Sequence, residues 1–309
     1  MSSWWSRNRQ LLLQLAGTLL AIVLLFLLLK EEKEEGRRML AAMREIKMVD
    51  LLWVALLFSI SRIAVTCRWH VLLRSGGVNI HFKDSLALTF MGLFATNFLP
   101  TTIGGDVVRL VGTVQMGFDR AVCLASIAAD RLIGMFGMCM TAPIGVFYSW
   151  NILQINLFSA SFFPKLQKPM AFFKRTISIF SIWLRKPGSL LTALAFSWIH
   201  MLCLFGSIYI FVNDFGTHVS FWVIAGLWSL TYLITLIPIS INGYGVQELA
   251  FTFLMSNVAG LTPAVGAAIA LLLRAYFLLS SVPGAAFLPS ILSALAKQKA
   301  VVSSPEPLL

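Results

Sequence analysis

Three carboxylates and four arginines stand where an apolar chain has least reason to carry charge: Asp106, Asp130, Glu248, Arg62, Arg109, Arg131 and Arg274. Each costs about 2.5–3.5 kcal/mol at mid-bilayer on insertion scales. Seven such groups facing lipid would not persist, so they must pair acid with base or surround an aqueous cavity. There, arginine forks two hydrogen bonds onto phosphate, and a carboxylate orients the arginine, binds a cationic substituent or acts as a general base. The positions differ in what else they admit. Asp106, Arg109 and Glu248 flank glycine turns, which favours function; Asp130 and Arg131 are equally suited to the first turn of a helix at the interface, and Arg62 and Arg274 to snorkelling. His200, inside an apolar helix, reads as a helix–helix hydrogen bond rather than a relay or ligand. Cys67, Cys123, Cys139 and Cys203 form no CxxC pair and have no His at ligand spacing, so disulfides and metal sites are poor readings and no cofactor is expected.

The turns that hold these residues echo one another. Pro100-Thr-Thr-Ile-Gly-Gly-Asp-Val-Val-Arg109 aligns with Pro238-Ile-Ser-Ile-Asn-Gly-Tyr-Gly-Val-Gln-Glu248. In each, an apolar helix meets a proline, then a glycine turn, then a charged residue that opens another short helix. Gly104, Gly105, Gly243 and Gly245 would let the backbone turn and flex. Prolines and glycines free backbone polar groups that cannot face lipid tails and must be buried in protein or line a wet cavity. The helix starts after them present partial positive charge to an anion. The plainer alternative is a pair of loops between ordinary helices.

The elements that must position these turns are apolar and long. Of 309 residues, 58% are hydrophobic and only 12% charged, with a mean hydropathy of +0.84. A soluble domain carries about a quarter charged residues, so the chain needs a bilayer as its solvent. Spans are expected over Leu11 to Leu29, Leu51 to Leu73, Val122 to Ala142, Ile144 to Phe163, Leu190 to Val212, Phe221 to Ile237 and Ala264 to Leu288. Leu86 to Leu99 and Leu249 to Ala259 are too short to cross and too apolar to be solvated, which suggests two re-entrant helix pairs. The expectation is an all-α polytopic bundle of about seven spans and two re-entrant pairs, arranged as an inverted repeat, over residues 1–289, with residues 290–309 a short, disordered cytoplasmic tail.

The net charge of +11 lies between apolar blocks without an aromatic platform, so no nucleic-acid partner is expected. Arg7 and Arg9 before the first run resemble a signal sequence, but only the charged run Lys30 to Glu35 follows, which favours an uncleaved anchor. Arg37 to Lys47 has the pattern of an interfacial helix, and Lys165 to Lys186 holds six positive residues and no acid. With the N-terminus cytoplasmic, 14 positive residues fall inside against six outside, placing both termini in the cytoplasm by the positive-inside rule; the first span alone argues the reverse.

Asn97-Phe-Leu-Pro-Thr-Thr-Ile-Gly-Gly-Asp-Val-Val-Arg109, Asp130-Arg-Leu-Ile-Gly134 and Asn242-Gly-Tyr-Gly-Val-Gln-Glu248, with Arg68-Trp69 and Arg274, resemble the lysylphosphatidylglycerol synthase transmembrane (flippase-like) family over most of the chain. That resemblance implies a cytoplasmic-membrane bundle with two re-entrant pairs and a cavity for a lipid headgroup. Bifunctional members add an aminoacyl-transferase domain; only 20 residues follow Pro289 here, too few for one, so synthase activity is not expected. The second turn departs from the Gly-Gly-x-Gly frequent in relatives.

The leading reading is therefore a non-enzymatic flippase that moves an anionic phospholipid, glycolipid or lipid-linked sugar, with Arg109, Arg131 and Arg274 at the phosphate and Asp106 and Glu248 orienting them. The runner-up is a membrane transferase on a lipid-linked donor, with Asp106, Asp130 or Glu248 as general base. It lacks a metal cluster or a nucleophile–His pair. A third is a scaffold for lipid-biosynthesis enzymes, which gives buried charges in two matched turns little reason to exist. The sequence leaves the lipid, the direction and energy source of transport, and the oligomeric state open.

Overall fold

A computed structural model of the chain describes residues 46–98, 104–150, 186–237 and 240–287, together with Leu19, Val23, Arg37, Met43, Arg44 and Trp183. The span expected over residues 11–29, most of the interfacial helix at 37–47 and of the basic loop at 165–186, and the tail at 290–309 lie outside these residues. So do the turn residues 99–103, 238 and 239.

The described secondary structure is entirely helical: α1 (Met48–Ser75), α2 (Phe82–Phe98), α3 (Gly104–Gln115), α4 (Arg120–Tyr148), α5 (Pro187–Asp214), α6 (Phe221–Thr235), a 3-10 turn (Ile241–Gly243), α7 (Val246–Ala259), α8 (Pro263–Leu279) and a closing 3-10 segment (Val282–Phe287). Helices satisfy every backbone polar group within the segment, which an apolar solvent demands. Caps fix their starts and stops. The Asp119 side chain accepts from the Val122 N–H at 2.9 Å to open α4, Thr262 accepts from Val265 ahead of α8, and Gly260, with φ +74°, ends α7 in the left-handed conformation.

Among the described residues four helical segments are long and apolar enough to cross a membrane: Met48–Ser75, Arg120–Tyr148, Pro187–Asp214 and Pro263–Phe287. Two expected boundaries move. The sequence divides one span from the next at Pro143, but α4 runs through Pro143 to Tyr148. A proline costs a helix one N–H···O bond, and inside a membrane bundle neighbouring groups absorb that loss. The span expected over residues 221–237 is a helix of 15 residues, about 22 Å at 1.5 Å per residue, which stops at Thr235 with Leu236 as its cap.

The order of elements recurs. Helices α1 to α4 run long, short, short, long, and α5 to α8 with the closing 3-10 segment repeat that order. α1 and α5 each have 28 residues. Packing recurs as well: α2 on α3 matches α6 on α7, α3 on α4 matches α7 on α8, and α4 on α6 matches the closing 3-10 segment on α2. α1 and α5 pack antiparallel. Lys47, just before α1, lies 3.6 Å from Asp214 at the end of α5, and Lys186, just before α5, donates to the Ser75 carbonyl at the end of α1 at 2.7 Å.

The largest apolar core joins α1, α5, α6, α7 and α8 through Phe58, Phe205, Phe211, Trp228 and Phe251. Outward-facing Leu52, Trp53, Phe136, Phe147 and Leu191 leave an apolar surface suited to lipid.

Candidate functional site

α3 and α7 are the short helices that follow the two glycine turns, and each carries a carboxylate in its first turn. Asp106 accepts from Arg131 of α4 at 3.0 Å. Glu248 accepts from Arg274 of α8 at 2.5 Å. The partners are 25 and 26 residues apart, so the same acid–arginine latch occurs once in each half. The second latch is further fixed: Gln247 accepts from Arg274 at 3.1 Å, the Tyr244 ring lies 4.5 Å from the guanidinium, and the other Glu248 oxygen accepts from the Gly245 N–H at 2.8 Å.

The first half adds a buried triad. Asp130 of α4, 2% exposed, accepts from Arg68 of α1 at 2.7 Å and from both terminal nitrogens of Arg109 of α3 at 3.2 Å. Arg109 also lies 3.8 Å from Asp106, which ties the triad to the first latch. Its guanidinium sits 4.0 Å from the Trp69 ring centroid, a cation–π contact that holds a desolvated cation. Arg68 donates onward to Ser197 of α5 at 3.2 Å.

The second turn touches the end of α2, which leads into the first. Asn242 donates to the Asn97 side-chain oxygen at 3.2 Å, and the Tyr244 hydroxyl donates to the Asn97 carbonyl at 2.8 Å. Asn242, Gly243 and Gly245 take φ of +51°, +74° and +79°, the region where glycine is free and asparagine tolerated. Gly104 and Gly105 do something else: they open α3 as helix, and a Cβ on Gly105 would overlap Thr96 and the Gly92 backbone. Their small size lets α3 close onto α2.

Between the turns lies a cavity of about 440 Å³. Asp106 and Arg131 of the first latch, Gln247 and Arg274 of the second, Asn97, Asn242 and Gly243 line it, together with Arg62, His200 and apolar side chains such as Leu204, Trp228 and Phe277. The expected site residues therefore divide. Asp106, Arg131, Arg274 and Gly243 reach the cavity; Arg109, Asp130, Glu248, Gly104, Gly105 and Gly245 stand behind it as the groups that hold those walls. His200 makes the expected helix–helix bond, with its Nδ1 2.7 Å from the Ser61 hydroxyl of α1. Among the described residues no three His, Cys, Asp or Glu side chains converge as metal ligands do. Sequence reasoning left Arg62, weighed as a snorkelling charge, and Asn97, noted only within the family motif, outside the expected site. Arg62 sits at the centre of the expected span from Leu51 to Leu73, as far from either interface as that span allows, and that position was the available signal.

Charged latches meeting inside a bundle of membrane-length helices define a membrane-embedded polar site rather than a soluble active site. The sequence matches the lysylphosphatidylglycerol synthase TM region family over residues 14–157 and 141–284, and the chain belongs to that family. No curated protein matches it.

Proposed function

We propose that the chain is a flippase-like transporter of the cytoplasmic membrane that passes the polar headgroup of a phospholipid, glycolipid or lipid-linked sugar through the cavity while the acyl tails stay in lipid. The observation that carries this reading is the cavity itself. It is of ligand-binding size, charged and polar side chains from both halves line it beside apolar ones such as Leu204, Trp228 and Phe277, and three of those charged side chains are arginines. Broken helices of two related halves meeting at a central polar site are the arrangement through which transporters alternate access. On this reading α2 with α3, and α6 with α7, are the re-entrant pairs, so that α6 is one arm of the second pair rather than a seventh span, and the halves form an inverted repeat with both termini cytoplasmic. The antiparallel packing of α1 on α5 and the recurrence of the acid–arginine latch support the inversion.

The chain on this reading is no enzyme; its partners are membrane lipids and, in the cell, the enzymes that make them. The test is leaflet exchange. The purified chain in liposomes should move a labelled phospholipid between leaflets, and Asp106→Asn should slow that movement at least about tenfold by releasing Arg131 from its charge-assisted bond. No exchange above that of protein-free liposomes would overturn the reading. Product formed from a lipid-linked donor in detergent, where there are no leaflets, would instead establish a transferase.

A further inference from the structure

Arg62 is 5% exposed and lies next to the middle of a 28-residue helix, about 20 Å from either end at 1.5 Å per residue. No side chain snorkels that far. Its polar contact is a 3.0 Å hydrogen bond from Nε to the Ser280 hydroxyl, and the rings of Phe58 and Phe277 lie 5.7 and 5.0 Å from the guanidinium. Among the described residues no carboxylate comes within 4 Å of it. The other buried arginines differ: Arg68 and Arg109 share Asp130, and Arg274 has Glu248. Arg131, more exposed, has Asp106. In and behind the cavity wall five arginines thus face three carboxylates, an excess of two positive charges, and among the described residues Arg62 is the arginine of the five with no carboxylate beside it. The repeat sharpens the point, because Arg62 and Met201 hold the same place in α1 and α5, and only the first half carries the charge there.

An unpaired cation in a low-dielectric interior is costly unless an anion meets it, and Arg62 lines the same cavity as Arg131 and Arg274. We infer that Arg62 is the anchor for the anionic group of the transported lipid and that this group is a phosphate or phosphodiester. A neutral sugar or a cationic substituent would leave Arg62 unpaired. The inference rests on the headgroup-passage reading above and narrows it from lipids in general to phosphate-bearing ones.

The test uses the full chain in nanodiscs that hold equal amounts of phosphatidylglycerol and a neutral diacyl galactolipid, with native mass spectrometry reading which lipid stays bound. The wild type should retain phosphatidylglycerol at least about tenfold over the galactolipid, the ratio expected for one charge-assisted contact. R62Q should lose that preference, R62K should keep part of it, and R62Q should melt no lower than the wild type. Equal retention by the wild type, or an unchanged preference in R62Q, overturns the inference. Displacement of the bound lipid by micromolar inorganic phosphate would keep the anion site and overturn its assignment to a lipid. Leaflet exchange on the same preparation separates this proposal from the one it rests on. An Arg62-dependent preference without exchange sinks transport and keeps the anion site, whereas equal exchange of both labelled lipids keeps transport and sinks the anion site.

Discussion

Ser61 and His200 are 139 residues apart in the chain and 2.7 Å apart in space, and each is the fourteenth residue of a 28-residue helix. Equivalent residues in contact would be the pivot of the inverted repeat proposed above. The lysines at the two ends of the pair obey the same relation, Lys47 reaching Asp214 and Lys186 reaching Ser75. All three contacts are those expected if the inverted repeat proposed above has its pseudo-two-fold axis between Ser61 and His200, perpendicular to both helices. The cavity lies beside this axis, with His200 in its wall.

Ser61→Ala tests the pivot. It leaves a ring nitrogen of His200 without its partner in a part-buried contact, so the protein should lose about 1–3 kcal/mol of stability. The double variant Ser61→Ala with His200→Ala should lose less than the two single losses combined, because the second change removes the orphaned group. Thermal unfolding in one detergent reads both; additive losses would mean that the contact contributes nothing of its own.

Asp130→Asn removes the carboxylate that accepts from both Arg68 and Arg109. Two buried guanidinium groups then share a neutral amide, and the loss should be about 3–5 kcal/mol. Arg109→Met added to Asp130→Asn should recover part of it. The thermal midpoints of the two variants check this, and a double variant no more stable than Asp130→Asn alone would contradict the triad.

The long described helices and the second turn were legible in the sequence because hydropathy and glycine–proline punctuation are local signals. The bounds of α1 and α5 fall two or three residues outside the expected spans, and the acids that open α3 and α7 are those the aligned turns pick out. What was not legible is which charge meets which. Asp130 and Arg131 are neighbours in the chain, yet Asp130 turns to Arg68 and Arg109 while Arg131 turns to Asp106, since consecutive helical residues point about 100° apart. Pro143 looked like a boundary because its effect in water was assumed for a helix in an apolar bundle. Gly105 looked like a hinge, but its role depends on Thr96 and Gly92 of α2, which no local pattern reveals.

Three glycines predict opposite signs for the same substitution. α4 and α6 cross where Gly145 meets Gly226, and a Cβ on either would overlap the backbone of the other. Gly145→Ala and Gly226→Ala should each destabilise the protein by more than about 1 kcal/mol, because backbone does not yield as a flexible side chain does. Gly206, in the middle of α5, meets only Leu57 at an ordinary 3.5 Å, so Gly206→Ala should be neutral or stabilising by up to about 1 kcal/mol through lost chain entropy. Melting curves of the three variants decide it, and a stable Gly145→Ala would mean that the crossing is looser than the packing indicates.

Glu248 does two jobs that substitution can separate. One oxygen accepts from Arg274 and the other from the Gly245 N–H, so the side chain both neutralises a cavity cation and closes the start of α7. Glu248→Gln keeps a carbonyl oxygen that can serve one of these donors but removes the charge. Arg274 should then face the cavity without a counter-charge, and the polar pocket should gain affinity for anions while the fold loses stability, by about 2–4 kcal/mol for a buried charge-assisted bond. Glu248→Ala gives up the helix start as well and should fall further, by about 1 kcal/mol more for the lost cap. Co-purified phospholipid, counted per protein molecule, reads the first effect, and unfolding midpoints read the second. If Glu248→Gln lowered stability without raising the retained anionic lipid, the charge on Arg274 would be sealed from the cavity, and the latch would be a structural clasp alone.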